Sequence, residues 1–201
     1  MENPIVLVWG HLDAVLLGAL AAAVWIGGEY LSRRATFRLG APRRPSSRLD
    51  RGTYPIIAGA LGVAMAATLV AFLTGVGGYL PLWTAGVGLA LVVLGVGFRG
   101  WALRTLGRFF TMPITLPADQ EIVRGGPYQW IRHPAYTGGL LTAMGMPLVL
   151  GTTVGFLVTF AVCLASYVYR IHFEEQALVG RFGDRYREYA KRTWRLLPGL
   201  Y

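Results

Sequence analysis

The chain has 201 residues, 54% of them hydrophobic and only 14% charged, with 19 Lys or Arg against 10 Asp or Glu and a formal net charge of +9. A soluble domain carries about 25% charged residues, so this deficit, with a mean hydropathy of +0.48, excludes an ordinary water-soluble fold and predicts an all-α integral membrane protein. The single cysteine, Cys163, excludes an intrachain disulfide and a cysteine-based metal set, and no metal site is expected.

In chain order, residues 12–31 are apolar apart from Asp13 and Glu29, and residues 54–74 and 79–98 hold no charge. Each run has the roughly 20 residues needed to cross a hydrocarbon core of about 30 Å. No basic residue precedes the first run and no small-residue cleavage site follows it, so it is expected to stay as a helix rather than leave as a signal peptide. The stretch "FRGWALRTLGRFFT" at 98–111 places arginines among apolar residues, which predicts a short amphipathic piece at the interface. "MPITLPADQEIVRGGPY" at 112–128 holds too many prolines for a helix and is expected to be an ordered loop. Residues 134–169 are again uncharged but too long for one crossing; Gly151, Thr152 and Thr153 near the middle predict a tight turn between a fourth and a fifth helix. Cys163 falls mid-span in helix five, where packing is its expected role. Residues 169–192 continue helix five outward, with Arg170, Glu174, Leu178 and Arg181 on one face and Arg170 spaced to pair with Glu174. Phe182-Gly183 predicts a break, after which Asp184 is expected to cap a short helix carrying Tyr186 and Tyr189.

The basic residues predict orientation. Seven arginines (33, 34, 38, 43, 44, 48 and 51) fall between helices one and two, five between helices three and four, and seven basic residues from Arg170 onward. The turns at 75–81 and 151–153 and the N-terminus hold none. With about five transmembrane helices all 19 lie on one side, which the positive-inside rule makes cytoplasmic. The N-terminus is then outside, and the C-terminus and active site cytoplasmic. Topology and anionic lipid headgroups account for the net charge, so membrane lipids are expected partners and nucleic acid is not. Nothing implies an obligate protein partner. One membrane domain spans 1–201, with 1–98 a three-helix scaffold and 99–201 a catalytic half.

Two constellations carry chemistry. In "GGPYQWIRHPAYTGGLL", residues 125–141, Pro127 and Pro134 fix φ and are expected to hold Gly126 and His133 extended. Pro134 suits the first turn of helix four, so Arg132 and His133 sit just ahead of a helix N-terminus, where carboxylates and phosphates bind. In "RIHFEEQALVGRFG", Glu174 and Glu175 lie where helix five leaves the membrane. Each alone is explained by an interfacial loop or a solvated helix end. Together they flank one helical hairpin and must meet in space, offering cationic groups on one side and a carboxylate on the other. That pattern suits a zwitterionic ligand with an amino-acid head.

"GPYQWIRHPAYTGG", followed some thirty residues later by "RIHFEEQALVGRFGDRYREY", resembles the integral-membrane isoprenylcysteine carboxyl methyltransferase family, which groups with the phospholipid methyltransferases. The resemblance covers roughly residues 98–198. It implies a methyltransferase that uses S-adenosyl-L-methionine, bound in a cytoplasmic pocket open laterally to lipid. By position it implies cofactor-binding roles for Gln120, Glu121, Ile122, Val123, Tyr128, Arg132, His133, Pro134, Ala135, Tyr136 and Glu174. It makes Arg170 the substrate-facing arginine, and Arg170 with Glu174 the expected catalytic pair. The chain departs from the pattern with Phe173 ahead of the acidic pair, and with Arg-Thr-Trp-Arg at 192–195 where prenylcysteine enzymes often carry Val-Pro. The acceptor implied is a lipophilic or lipidated molecule, most simply through O-methylation of a carboxylate that Arg170 can face. Phospholipid N-methylation, an NADPH-dependent sterol-type membrane reductase and a non-catalytic scaffold are the alternatives.

Overall fold

The computed structural model describes residues 12–40, 50–111, 114 and 116–199. Arg43, Arg44, Arg48 and the N-terminal segment used in the orientation argument lie outside these residues. Among those described, six α-helices occur: α1 (Leu12–Arg38), α2 (Thr53–Thr74), α3 (Trp83–Leu106), α4 (Pro134–Val149), α5 (Thr153–Phe182) and α6 (Asp184–Lys191). Two 3-10 turns, Gly107–Phe109 and Gly126–Gln129, join them, and β structure is limited to the isolated bridges Tyr79–Thr152 and Ile131–Trp194.

Helices α1, α2, α3 and α5 are long and apolar enough to cross a membrane, and the chain is a multi-pass membrane protein. Helix α4, at 16 residues, rises only about 24 Å, short of the roughly 30 Å core. The long apolar run divides unevenly because the turn at Leu150–Thr152 comes early, leaving 30 residues for α5. Four spans, not five, therefore meet the length criterion.

Two helix ends move outward from the sequence expectation. α1 continues past Glu29 to Arg38, because Arg33 Nε donates to Glu29 one turn away at 2.8 Å. Residues 98–106 are not a separate interfacial helix but the last turns of α3, which ends where Gly107 turns to φ +58°. Nothing between Phe98 and Leu106 interrupts a helix, and Gly100 is buried there close to Ser32.

Small residues set the helix spacing. An added Cβ at Gly88 would stand 2.6 Å from the Gly145 carbonyl oxygen, and one at Gly145 2.5 Å from that of Gly88. Backbones of α3 and α4 thus touch, the packing mode favoured where lipid tails remove the hydrophobic incentive for association. Cys163 is fully buried with Ala64, Leu140, Ala143, Tyr167, Ile171 and Leu196 in one core cluster, as its apolar setting predicted. Ala21, Val92, Met146 and Val149 form a second. Outward faces are apolar instead: Leu16 and Leu94 are at least 60% exposed, the pattern of lipid-facing surface.

Candidate functional site

The site is built around the first turn of α4. Pro134 supplies the fixed φ of that turn and lacks only an N–H that would be orphaned anyway. His133, at φ −124° and ψ 55°, precedes it and accepts the Tyr136 amide at 3.0 Å. Gly126 is not extended as expected; it takes φ +55°, and a Cβ there would lie 2.8 Å from Thr105 Oγ1. The C-terminal segment clamps this corner from behind. The Arg132 and His133 amides donate to the carbonyls of Trp194 (2.7 Å) and Arg195 (3.1 Å), and Thr137 Oγ1 donates to the Leu196 carbonyl at 2.6 Å.

The two adjacent carboxylates on α5 differ sharply. Glu175 is engaged on every side: Arg132 Nε at 2.8 Å, Arg195 Nε at 3.0 Å and the His133 Nε2 edge at 3.4 Å. Arg132 also donates to the carbonyls of Ala190 and Thr193, so its guanidinium fastens the chain end to α5. Glu174, with a 30% exposed side chain, accepts one hydrogen bond among the described residues, from the Tyr136 hydroxyl at 2.8 Å, and its other oxygen lies 3.9 Å from His133 Nδ1.

Arg170 donates through Nε to that same hydroxyl at 2.6 Å and through an Nη to Asp50 and Thr53, each at 2.8 Å. Its connection to Glu174 therefore passes through Tyr136 rather than by the direct pairing suggested by the four-residue spacing. Asp50 also accepts the Ile114 and Tyr54 amides at 3.0 and 3.2 Å. Burial would raise its pKa, but these amides, the Arg170 guanidinium and the Thr53 hydroxyl outweigh it and hold the carboxyl below its ordinary value. One loop carboxylate thus ties the start of α2, the 114 segment and α5 together.

These groups border a cavity of about 610 Å³, within the range of small-molecule and cofactor sites. Gln120, Glu121, Ile122, Val123, Tyr128, Arg132, His133, Ala135, Tyr136, Arg170 and Glu174 all line it. Pro134 does not; it is buried and starts the helix. Residues 120–123 approach as irregular chain rather than a strand. Tyr128 is buried against the cavity, and burial followed by the Glu174 charge pushes its phenol pKa up, so it stays protonated.

The cavity wall also holds residues that the sequence reading passed over. Trp25, Ile26, Tyr54, Ile57 and Leu61 of α1 and α2 form an apolar side. Glu29 is clasped by Arg99 (Nε 2.8 Å, a second nitrogen 3.2 Å), and Arg99 also donates to the Ala135 carbonyl at 2.8 Å. The signal for this pair was present: an ionisable residue inside an otherwise apolar run demands a partner. Tyr186 and Tyr189 reach the wall from α6. α6 begins after Gly183, at φ +56°; Asp184 does not cap it but pairs with Arg187 at 2.6 Å in its first turn. Two buried polar atoms on the wall, Gln120 Oε1 and the Tyr186 hydroxyl, have no hydrogen-bond partner among the described residues.

Residues 83–185 match the phospholipid methyltransferase family model. Among similar proteins, protein-S-isoprenylcysteine O-methyltransferase B of Arabidopsis thaliana is 34% identical over 113 residues, 55% of this chain and 57% of that one. The Tribolium castaneum protein-S-isoprenylcysteine O-methyltransferase is 31% identical over 121 residues, 58% of this chain and 42% of that one. The chain thus spans about half the length of the curated relatives it matches. Among solved structures, the eukaryotic intramembrane Ras methyltransferase (isoprenylcysteine carboxyl methyltransferase) superposes with a TM-score of 0.58 over 73% of this chain and 53% of the other, at 24% identity, a likeness of fold. Since the family model covers just over half of the residues, from the start of α3 through α5, the chain belongs to the phospholipid methyltransferase family.

Proposed function

We propose that the chain transfers a methyl group from S-adenosyl-L-methionine to a lipophilic acceptor at the membrane, and that the accepting group is a carboxylate. The observation that carries this reading is the relay Arg170–Tyr136–Glu174 on the wall of a cavity whose other side is apolar. The similarity to isoprenylcysteine O-methyltransferases supports the same chemistry. Bound there, the donor would supply a sulfonium-activated methyl group. The residues present fit it: the cavity has the volume, a carboxylate with free acceptor capacity, and two buried polar atoms awaiting partners.

In this reading Glu174 holds the ammonium of the cofactor's amino-acid head, while residues 120–123, Tyr128 and the Arg132–Tyr136 corner enclose the rest. Glu175 keeps that corner in place and so positions rather than contacts. Arg170 fixes the Tyr136 hydroxyl and gives this wall the positive potential that orients the acceptor's carboxylate. A carboxylate needs no general base, so orientation supplies the rate advantage, and well-aligned proximity is worth about 7–11 kcal/mol. The lipophilic tail lies along Trp25, Ile57 and Leu61. The wall residues of α1 and α2 give the 1–98 scaffold a share in substrate binding, with 99–201 as the catalytic half. α4 makes a short fifth crossing, the basic ends and the cavity mouth face the cytoplasm, and the N-terminus lies outside.

Purified protein in vesicles, given methyl-labelled donor with an S-farnesylcysteine probe or phosphatidylethanolamine, tests this. The expected product is a base-labile methyl ester on the farnesylcysteine probe. Labelled N-methyl lipid with no ester would overturn the choice of acceptor, and no label in either would overturn the activity.

A further inference from the structure

Helix α6 carries two buried tyrosines one turn apart, Tyr186 at 3% exposure and Tyr189 at 7%, with ring centroids 5.8 Å apart. Their hydroxyls have different fates. Tyr189 donates to the Tyr128 carbonyl at 2.7 Å, which fastens α6 to the 3-10 turn before α4. The Tyr186 hydroxyl has no partner among the described residues, although the residue borders the cavity. A phenylalanine would pack equally well and spare the desolvation of an oxygen, because a buried polar group without a hydrogen bond is destabilising. The oxygen is therefore explained by something that enters the cavity.

The surroundings select the chemistry of that ligand. The charges of Glu175 and Glu174 act on Tyr186, after burial, to push its phenol pKa up, so it remains a neutral hydroxyl in a negative field. Glu175 is already satisfied by Arg132, Arg195 and His133, whereas among the described residues Glu174 accepts one hydrogen bond, from the Tyr136 hydroxyl, with His133 Nδ1 no nearer than 3.9 Å. An incoming group should bring positive charge and several N–H donors, which is the description of a primary ammonium. An anion would meet two carboxylates and no unspent cation at this point.

We propose that Tyr186 is a cofactor-binding residue, its hydroxyl oxygen accepting a hydrogen bond from the same ammonium that Glu174 neutralises. The inference rests on the methyl-donor reading above and gives the unpaired Tyr186 hydroxyl a specific contact within it. Tyr136 and Tyr186 then serve opposite ends of one contact: Tyr136 donates to Glu174 and orients it, and Tyr186 accepts from the ligand.

The test is calorimetry on the purified full chain with two probes, S-adenosylhomocysteine and 5′-methylthioadenosine, which lacks the amino-acid head. Y186F should bind S-adenosylhomocysteine about 10- to 150-fold more weakly, a loss of one hydrogen bond to a charged group, while its affinity for methylthioadenosine is unchanged. The ligand-free melting temperature of Y186F should equal or exceed that of the parent, since an unsatisfied oxygen has been removed. Y189F should instead lower the ligand-free melting temperature. Unchanged S-adenosylhomocysteine affinity in Y186F, equal losses for both probes, or a lower ligand-free melting temperature would each overturn the assignment. If the parent chain itself binds neither probe, the methyl-donor reading fails instead, and Tyr186 fails with it.

Discussion

The two ends of the α4–α5 hairpin are made from the same pair of helices yet do opposite work. At the closed end, residues 150–153 turn without a single charge, the Leu80 amide donates to the Gly151 carbonyl at 2.7 Å, and Gly145 lies against Gly88. At the open end, Arg132, His133 and Tyr136 face Arg170, Glu174 and Glu175 across hydrogen bonds of 2.6–3.4 Å. The closed end is held by contact of small residues, which tolerates no added volume. The open end is held by charge, and one of its carboxylates is left with capacity to spare. Close backbone packing limits volume at the closed end, whereas the open end combines a fully paired carboxylate with one that keeps acceptor capacity.

Breaking the open end at its structural carboxylate should have the largest effect. Glu175→Ala leaves the Arg132 guanidinium, with a side chain only 9% exposed, without its counter-charge, and loss of about 3–5 kcal/mol is expected. Denaturant or thermal unfolding in detergent measures it, and the released C-terminal segment should become protease-sensitive. The closed end should break by crowding instead: Gly145→Val drives a side chain into the Gly88 backbone, at about 1–3 kcal/mol. A stability equal to the parent's would show that α3 and α4 can separate without cost.

Asp50 sharpens the comparison because it joins the open end from a distant loop. Its folded-state pKa lies below the ordinary 3.8, so its contribution is complete at pH well above 3.8 and is lost as pH falls through the depressed folded value. Asp50→Asn should lower the unfolding free energy near neutral pH by about 1.5–3 kcal/mol if its charged hydrogen bonds are the cause. The gap between parent and variant should then narrow below pH 4. A gap that stays constant with pH would assign the effect to packing. The smallest effect is expected on the surface, where Asp184 (90% exposed) pairs with Arg187. Asp184→Ala should leave stability and ligand affinity unchanged within error, as exposed pairs contribute little.

Much of the architecture was legible in the chain because hydrophobic runs and their interruptions are local. The four long helices and the turn near Gly151 follow from run length and Gly-Thr punctuation. That Tyr136 and Glu174 meet followed from their flanking one hairpin. Helix ends were less legible: α1 and α3 overrun their apolar stretches because Glu29 is neutralised by Arg33 one turn on and by Arg99, 70 residues away. The same limitation hid Asp50, which reaches Arg170 across 120 positions. It also hid the C-terminal segment, whose carbonyls receive the Arg132 and His133 amides. Between the adjacent Glu174 and Glu175, spacing could not say which is fully paired; only the positions of Arg132 and Arg195 do so.

The central claim is that Glu174, presented by Tyr136, closes a site for a cationic amino-acid head. Calorimetric titration of S-adenosylhomocysteine into the parent chain and Glu174→Gln tests it most directly. The account predicts saturable binding to the parent and a loss of about 10- to 150-fold in the variant, as for a charged hydrogen bond, with the ligand-free melting temperature unchanged. Equal affinity in the two proteins would contradict it.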